Sequence, residues 1–153
     1  MSNIKLWESI SAAKGAYVLQ IRLKKDLRLD IASLKFPLLK AGLYLYCGSA
    51  KGPGGIRARV KRHVKRDKKP HWHVDRLTIA SGVESFCIFE GGCECDLVAH
   101  LLQHKFTHIP LAGLGSSDCK SCRAHLVEIP ADMSLADCGF TAPVVRPVRR
   151  TVF

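Results

Sequence analysis

No apolar run in the chain approaches the roughly 18 consecutive residues a membrane-spanning helix needs, so no membrane association is expected. The opening stretch, MSNIKLWESISAAKG, carries charges where a secretory signal needs an unbroken apolar segment. No signal is read there, and a cytoplasmic location is expected. Neither an internal repeat nor a low-complexity tract is visible. Acidic residues are scarce: 13 Asp and Glu stand against 24 Lys and Arg, giving a net charge of +11. That imbalance favours a polyanionic partner through counterion release and carries no information about sequence preference. The plain alternative is a basic protein without such a partner. An even cysteine count is also missing: there are seven, Cys47, Cys87, Cys93, Cys95, Cys119, Cys122 and Cys138. An odd number without a signal peptide argues against a secreted disulfide framework and leaves buried thiols or a metal site.

What is present fits one domain. The chain has 153 residues and is 47% hydrophobic, enough to bury a single core. The segment GAYVLQIRL, residues 15–23, suits a strand and alternates toward its end. A short strand is expected at residues 29–31, before Pro37, and a second main strand, antiparallel to the first, at 42–47. Three Gly and one Pro in SAKGPGG predict a loop. A helix follows from about Gly55, with Ile56, Val60 and Val64 as its apolar stripe, and Pro70 ends it. HVDRLTIA begins a second helix, residues 83–89 read as a third strand, and CECDLVAHLLQHK has helical spacing in Leu97, Val98, Leu101 and Leu102. A further strand is expected at 125–129. The fold class is therefore α/β of the α+β type: a small, mainly antiparallel three-stranded sheet flanked by helices. Residues 1–153 form a single domain, with a core at about 15–105 and a Cys/His-containing extension at about 106–153.

The positive charge is clustered. Between residues 51 and 69 lie Lys51, Arg57, Arg59, Lys61, Arg62, Lys65, Arg66, Lys68 and Lys69, opposed only by Asp67. Like charges four apart weaken a helix slightly, so an anionic partner would offset a real cost. A solvated surface face is the ordinary explanation, but no Glu is interleaved to support it. Lys51, Arg57, Lys61, Arg62, Lys65 and Arg66 are thus candidate nucleic-acid contacts. Arg59 and His63, four apart, project from one face beside the apolar stripe. An Arg there can clamp a phosphate, and a His can move a proton near neutral pH.

Just beyond, HWHVD sets His71, Trp72, His73 and Asp75 together. His71, Trp72 and His73 are candidates to contact or stack on nucleic acid. The competing reading has Trp72 docking the second helix while Asp75 and the histidines hydrogen-bond the loop. In SSDCKSCRAH, Cys119, Cys122 and His125 are candidate zinc ligands, C-x2-C being a recurrent half-site, with a fourth from Cys93 or Cys95. Buried or merely reduced thiols remain equally open. Ser116, Ser117 and Asp118 could form a turn or cap.

Several of these strings resemble one family. GAY stands where the GIY-YIG nuclease superfamily has its first triplet, YCG where it has its second, and YCGSAKGPGGIRARVKRHV is similar to its strand, loop and helix. The resemblance makes Tyr17 and Tyr46 the motif tyrosines, Arg59 the helix arginine, His63 the residue one turn later and Glu94 the metal-binding glutamate. It spans roughly residues 15–103. GSAKGPGG, RHV, HWHVD and GLGSSDC resemble an uncharacterised subgroup sometimes fused to endonuclease III-type repair enzymes, and extend the match to about Leu126. The resemblance implies a divalent-metal-dependent endonuclease hydrolysing phosphodiester bonds in DNA rather than RNA. It implies one Mg²⁺ or Mn²⁺ on Glu94, the phosphate on Arg59, and Tyr17 positioning or activating water with support from Tyr46 and His63. Three features depart from the family: a longer stretch separates Tyr17 from Tyr46, the loop before the helix is enlarged, and the downstream Asn is missing, Asn3 being the only Asn. The rival readings are a catalytically silent nucleic-acid-binding module and a zinc-stabilised interaction domain.

Overall fold

The computed structural model describes residues 3–116 and 122–147. Helix α1 (Asn3–Ser9) comes first, where the hydrophobic period announces no element. There follow β1 (Gly15–Leu23), β2 (Leu27–Arg28), β3 (Leu38–Leu39), β4 (Gly42–Ala50), α2 (Gly55–Val64), α3 (Asp75–Ser81), β5 (Ser85–Glu90), α4 (Glu94–Leu102) and β6 (Leu126–Ile129). The α+β class expected from the sequence is the one observed. The main sheet is antiparallel throughout, in the order β5-β1-β4-β6.

Two expectations need correction. The sheet has four strands rather than three, because β6 pairs with the outer edge of β4 from Leu43↔Ile129 to Tyr46↔Leu126. Without β6 that edge would leave a row of backbone groups unpaired. The short strand expected at 29–31 lies earlier, as β2, paired with β3 in a separate two-stranded ladder. Leu29 and Ile31 instead point into the core, and Pro37 accepts a hydrogen bond from Leu29 N through its carbonyl rather than ending the pairing.

Both faces of the sheet are covered. Tyr17, Leu19, Ile21 and Leu23 of β1 share one face with Tyr44, Tyr46 and Ala50 of β4, packed with Ile56, Val60 and Leu77 of α2 and α3. The alternate residues Ala16, Val18, Leu43, Leu45 and Cys47 meet Leu97, Val98 and Leu101 of α4, together with Leu135 and Cys138. Strand alternation assigns residues to faces, but two covered faces leave almost none exposed. Hence Gln20, which reads as a solvent residue, is buried. Its amide donates to Glu84 and its carbonyl oxygen accepts from Leu135 N, which satisfies the buried polar group.

The start of α2 depends on the glycine-rich loop. Its first-turn N–H groups at Ile56 and Arg57 donate to the carbonyls of Ala13 and Ser11, which takes the place of a side-chain cap. Gly55 has φ +59, and a Cβ there would overlap the carbonyls of Ala12 and Ala13. Glycine is therefore required for α2 to approach β1. Among the described residues no helix is long and apolar enough to cross a membrane.

Candidate active site

A cleft of about 380 Å³ opens where the carboxyl half of β4 meets α2, α4 and the loops before α3 and β6. Tyr46, Ser49 and Lys51 line it from β4 and the residue after it, Arg59 from α2, and Glu94 from the first turn of α4. His71, Trp72, His73, Gly115 and His125 complete the wall. Three residue positions picked out by the family resemblance, Tyr46, Arg59 and Glu94, thus face one space. The two others, Tyr17 and His63, do not line it.

Tyr17 and His63 lie beneath the wall, 1% and 0% exposed. The Tyr17 hydroxyl is 2.7 Å from His63 Nε2, and the positive charge of Arg59 acts on it from nearby. The carboxylate of Asp75 beside Nδ1 favours a proton there, so the phenol donates its own proton to Nε2. The neutral ring then keeps its proton on Nδ1, 4.0 Å from the Asp75 carboxylate. Burial, reinforced by the charge of Lys68 and opposed by Asp75, pushes the His63 pKa down to about 3. His63 is therefore neutral at neutral pH. Burial likewise raises Tyr17 and Tyr46 above the ordinary tyrosine value, more than the positive charge of Arg59 lowers them. Gly48 stands opposite Tyr17 across the β1–β4 ladder, and a Cβ there would overlap the phenol ring. The first motif's tyrosine occupies the room left by the second motif's glycine.

The HWHVD segment turns out to be built around Asp75. Its side chain, 0% exposed, accepts two hydrogen bonds of 3.0 Å from Arg62 and two from the main-chain N–H groups of His71 and Trp72. Burial alone would raise this carboxyl, but those hydrogen bonds outweigh it and hold the pKa below the ordinary value. Trp72 is half-buried against the core, and the guanidinium carbons of Arg59 and Arg62 each lie 4.4 Å from its ring centroid. Trp72 therefore docks the loop and also orients Arg59. His73 Nδ1 accepts from Gly115 N, so the neutral ring carries its proton on Nε2 and acts as a donor.

The basic cluster divides in two. Arg57 donates to the carbonyls of Glu8 and Ile10, Arg62 to Asp75 and Lys69 O, and Arg66 to the carbonyls of Ile79 and Ala80. These three hold elements together. Lys68, half-buried, donates to the carbonyls of Arg62 and His63. Lys61 on α2 and Lys65 just after it are exposed, while Lys51 and Arg59 reach the cleft.

Of the candidate metal ligands, Cys95, Cys122 and His125 come together, with their donor atoms within 4.8 Å of one another, and could hold a metal ion. Cys95 Sγ is 3.9 Å from His125 Nε2. Between Cys93 and Cys95, only Cys95 joins the group; Cys93 is exposed. Cys119, with Ser117 and Asp118, lies outside the described residues. Cys47, Cys87 and Cys138 are buried core residues, and burial pushes the last two up to about 12 and about 11. Ser49 and Gly115 on the cleft wall escaped the motif reading, although both fall inside the strings that carry the subgroup resemblance. A family model described as a domain of unknown function, DUF123, matches residues 16–142, and no curated protein and no solved structure matches the chain.

Proposed function

The chain belongs to the DUF123 family, and we propose that it is a divalent-metal-dependent endonuclease of the GIY-YIG kind, hydrolysing phosphodiester bonds in DNA. One observation carries the proposal: Tyr46, Arg59 and Glu94, brought from β4, α2 and α4, line a single cleft together with Lys51. A surface built only for solvation has no reason to gather a carboxylate, two cations and a phenol around a concavity of this size.

The donor set fits the metal that such chemistry uses. Glu94 is half-buried and supplies a carboxylate on the cleft wall, and the cleft has room for waters. Mg²⁺ and Mn²⁺ accept oxygen ligands, and Mg²⁺ in particular keeps several waters beside one or two carboxylates. When bound, such an ion would neutralise charge on the phosphate and make a coordinated water more acidic.

The chain's own residues account for the remainder. Arg59, its guanidinium carbon 4.4 Å from the Trp72 ring centroid, presents a positioned guanidinium to a phosphate oxygen. Lys51 adds a second positive charge on the same wall, and neutral His73 adds an N–H donor. Tyr46 is the motif tyrosine at the cleft, so it orients the attacking water through its hydroxyl. Tyr17, buried under the wall and held by His63, acts indirectly, through the wall that carries Arg59. Water attacks phosphorus as the bond to the leaving oxygen breaks, and the donors on the wall stabilise the charge that develops.

The test is a cleavage assay on single-stranded, double-stranded, branched and damaged DNA with Mg²⁺ or Mn²⁺, run on the wild type, Glu94→Ala and Arg59→Ala. Each variant should lose on the order of 10²-fold or more in rate, as removal of one transition-state donor does. If no substrate is cut, or if both variants cut as fast as the wild type, the proposal fails. Salt-sensitive binding without cleavage would instead favour a silent binding module that uses the same basic face.

A further inference from the structure

We propose that Cys95, Cys122 and His125 form a zinc site that locks the first turn of α4 to the entrance of β6. Three observations lead there. The donors are two thiols and an imidazole, a soft set that suits zinc and not the hard, oxygen-seeking ion placed on Glu94. Their spacing is nearly closed: tetrahedral zinc with its usual bond lengths separates neighbouring N and S ligands by roughly 3.5–3.8 Å. The Cys95–His125 distance of 3.9 Å and the 4.8 Å limit on the group require only a small contraction.

The third observation is where the ligands sit. Cys95 follows Glu94 in the first turn of α4. His125 directly precedes β6, lines the cleft, donates its N–H to Leu114 O and receives Cys47 N on its carbonyl. Cys122 lies three residues before it. A metal held here ties a helix on one face of the sheet to the loop that supplies Gly115 and His125 to the cleft wall. The zinc is thus a structural clamp beside the site, separate from the ion on Glu94. The inference does not depend on nuclease activity.

Metal analysis of the full chain purified without chelator tests it. Zinc should be present at about one equivalent and fall to roughly a tenth of that in Cys122→Ser and in His125→Ala, since each removes a ligand. Cys93→Ser should retain the metal, because Cys93 is exposed and outside the group. Cobalt substituted into the wild type should give the intense visible and near-ultraviolet bands of thiolate-bound tetrahedral Co²⁺, and these should weaken in Cys95→Ser. Should the ligand variants fail to fold, chelation and zinc readdition on the wild type replace them. Amide exchange at residues 94–97 and 123–126 should then quicken on chelation and slow again on readdition. The proposal is overturned by folded wild type that takes up no zinc, by zinc retained in both Cys95→Ser and Cys122→Ser, or by a Cys95–Cys122 disulfide in the native protein.

Discussion

The Tyr17 hydroxyl sits 2.7 Å from His63 Nε2, although 46 positions separate the two residues. The pair joins the central strand to the basic helix underneath the cleft, and both rings are buried. Two motif residues that look catalytic as a list are, in space, a buried support beneath the cleft wall that carries Arg59. That relationship and its neighbours lead to four predictions.

Gly48→Ala should lower stability by about 1–3 kcal/mol, the usual penalty for overpacking a filled core. The added methyl overlaps the Tyr17 ring, which is buried and held by His63. Urea denaturation measures the change. A variant as stable as the wild type would mean that the ring does not occupy this position.

His63 makes stability depend on acid in a definite direction. Its folded pKa is about 3 against an ordinary value of 6.5, so below pH 6.5 the unfolded chain takes a proton that the folded chain refuses. The contribution is complete above pH 6.5 and is lost as pH falls from there toward 3. One proton of difference changes the unfolding equilibrium by about tenfold per pH unit. Denaturation of wild type and His63→Gln between pH 7 and pH 4 checks this: the variant's curve should be flatter. Parallel curves would contradict a buried neutral His63.

Asp75→Ala should be among the most damaging single changes in the chain. It leaves Arg62 without its two carboxylate bonds and the His71 and Trp72 N–H groups without acceptors. Breaking a buried pair from one side typically costs 3–5 kcal/mol. The loss should appear in chemical denaturation, and the Trp72 fluorescence of the folded variant should shift as its loop loosens.

Binding to duplex DNA should separate the two classes of cation. Replacing Lys61, Lys65 or Arg59 with Ala should reduce the slope of log K against log salt by about 0.9 for each phosphate contact removed. Replacing Arg57 or Arg66 should leave the slope unchanged and lower stability, because these side chains bond to main-chain carbonyls. Equal slopes for all five variants would remove the distinction.

Local pattern carried much of this protein. β-branched and aromatic runs located β1, β4 and β5, and the Ile56–Val60 spacing located α2. The glycines of SAKGPGG located the loop before α2, whereas the crowding at Gly48 and Gly55 comes from Tyr17 and from Ala12 and Ala13, elsewhere in the chain. Charge balance and the Arg59–His63 spacing were likewise legible, since both are properties of one short segment.

Tertiary structure decided what depends on contacts between distant segments. The fourth strand exists because β4 has an outer edge, which no period within residues 125–129 can reveal. Arg57, Arg62 and Arg66 look the same as Lys61 and Lys65 in sequence, and only the carbonyls and the carboxylate that meet them set them apart. Cys95 rather than Cys93 joins His125, because two residues along the start of α4 turn a side chain to a different direction. The GAY and YCG triplets identified the right neighbourhood. Two covered sheet faces then buried Tyr17 and left Tyr46 at the cleft, a division fixed by packing and not by the motif.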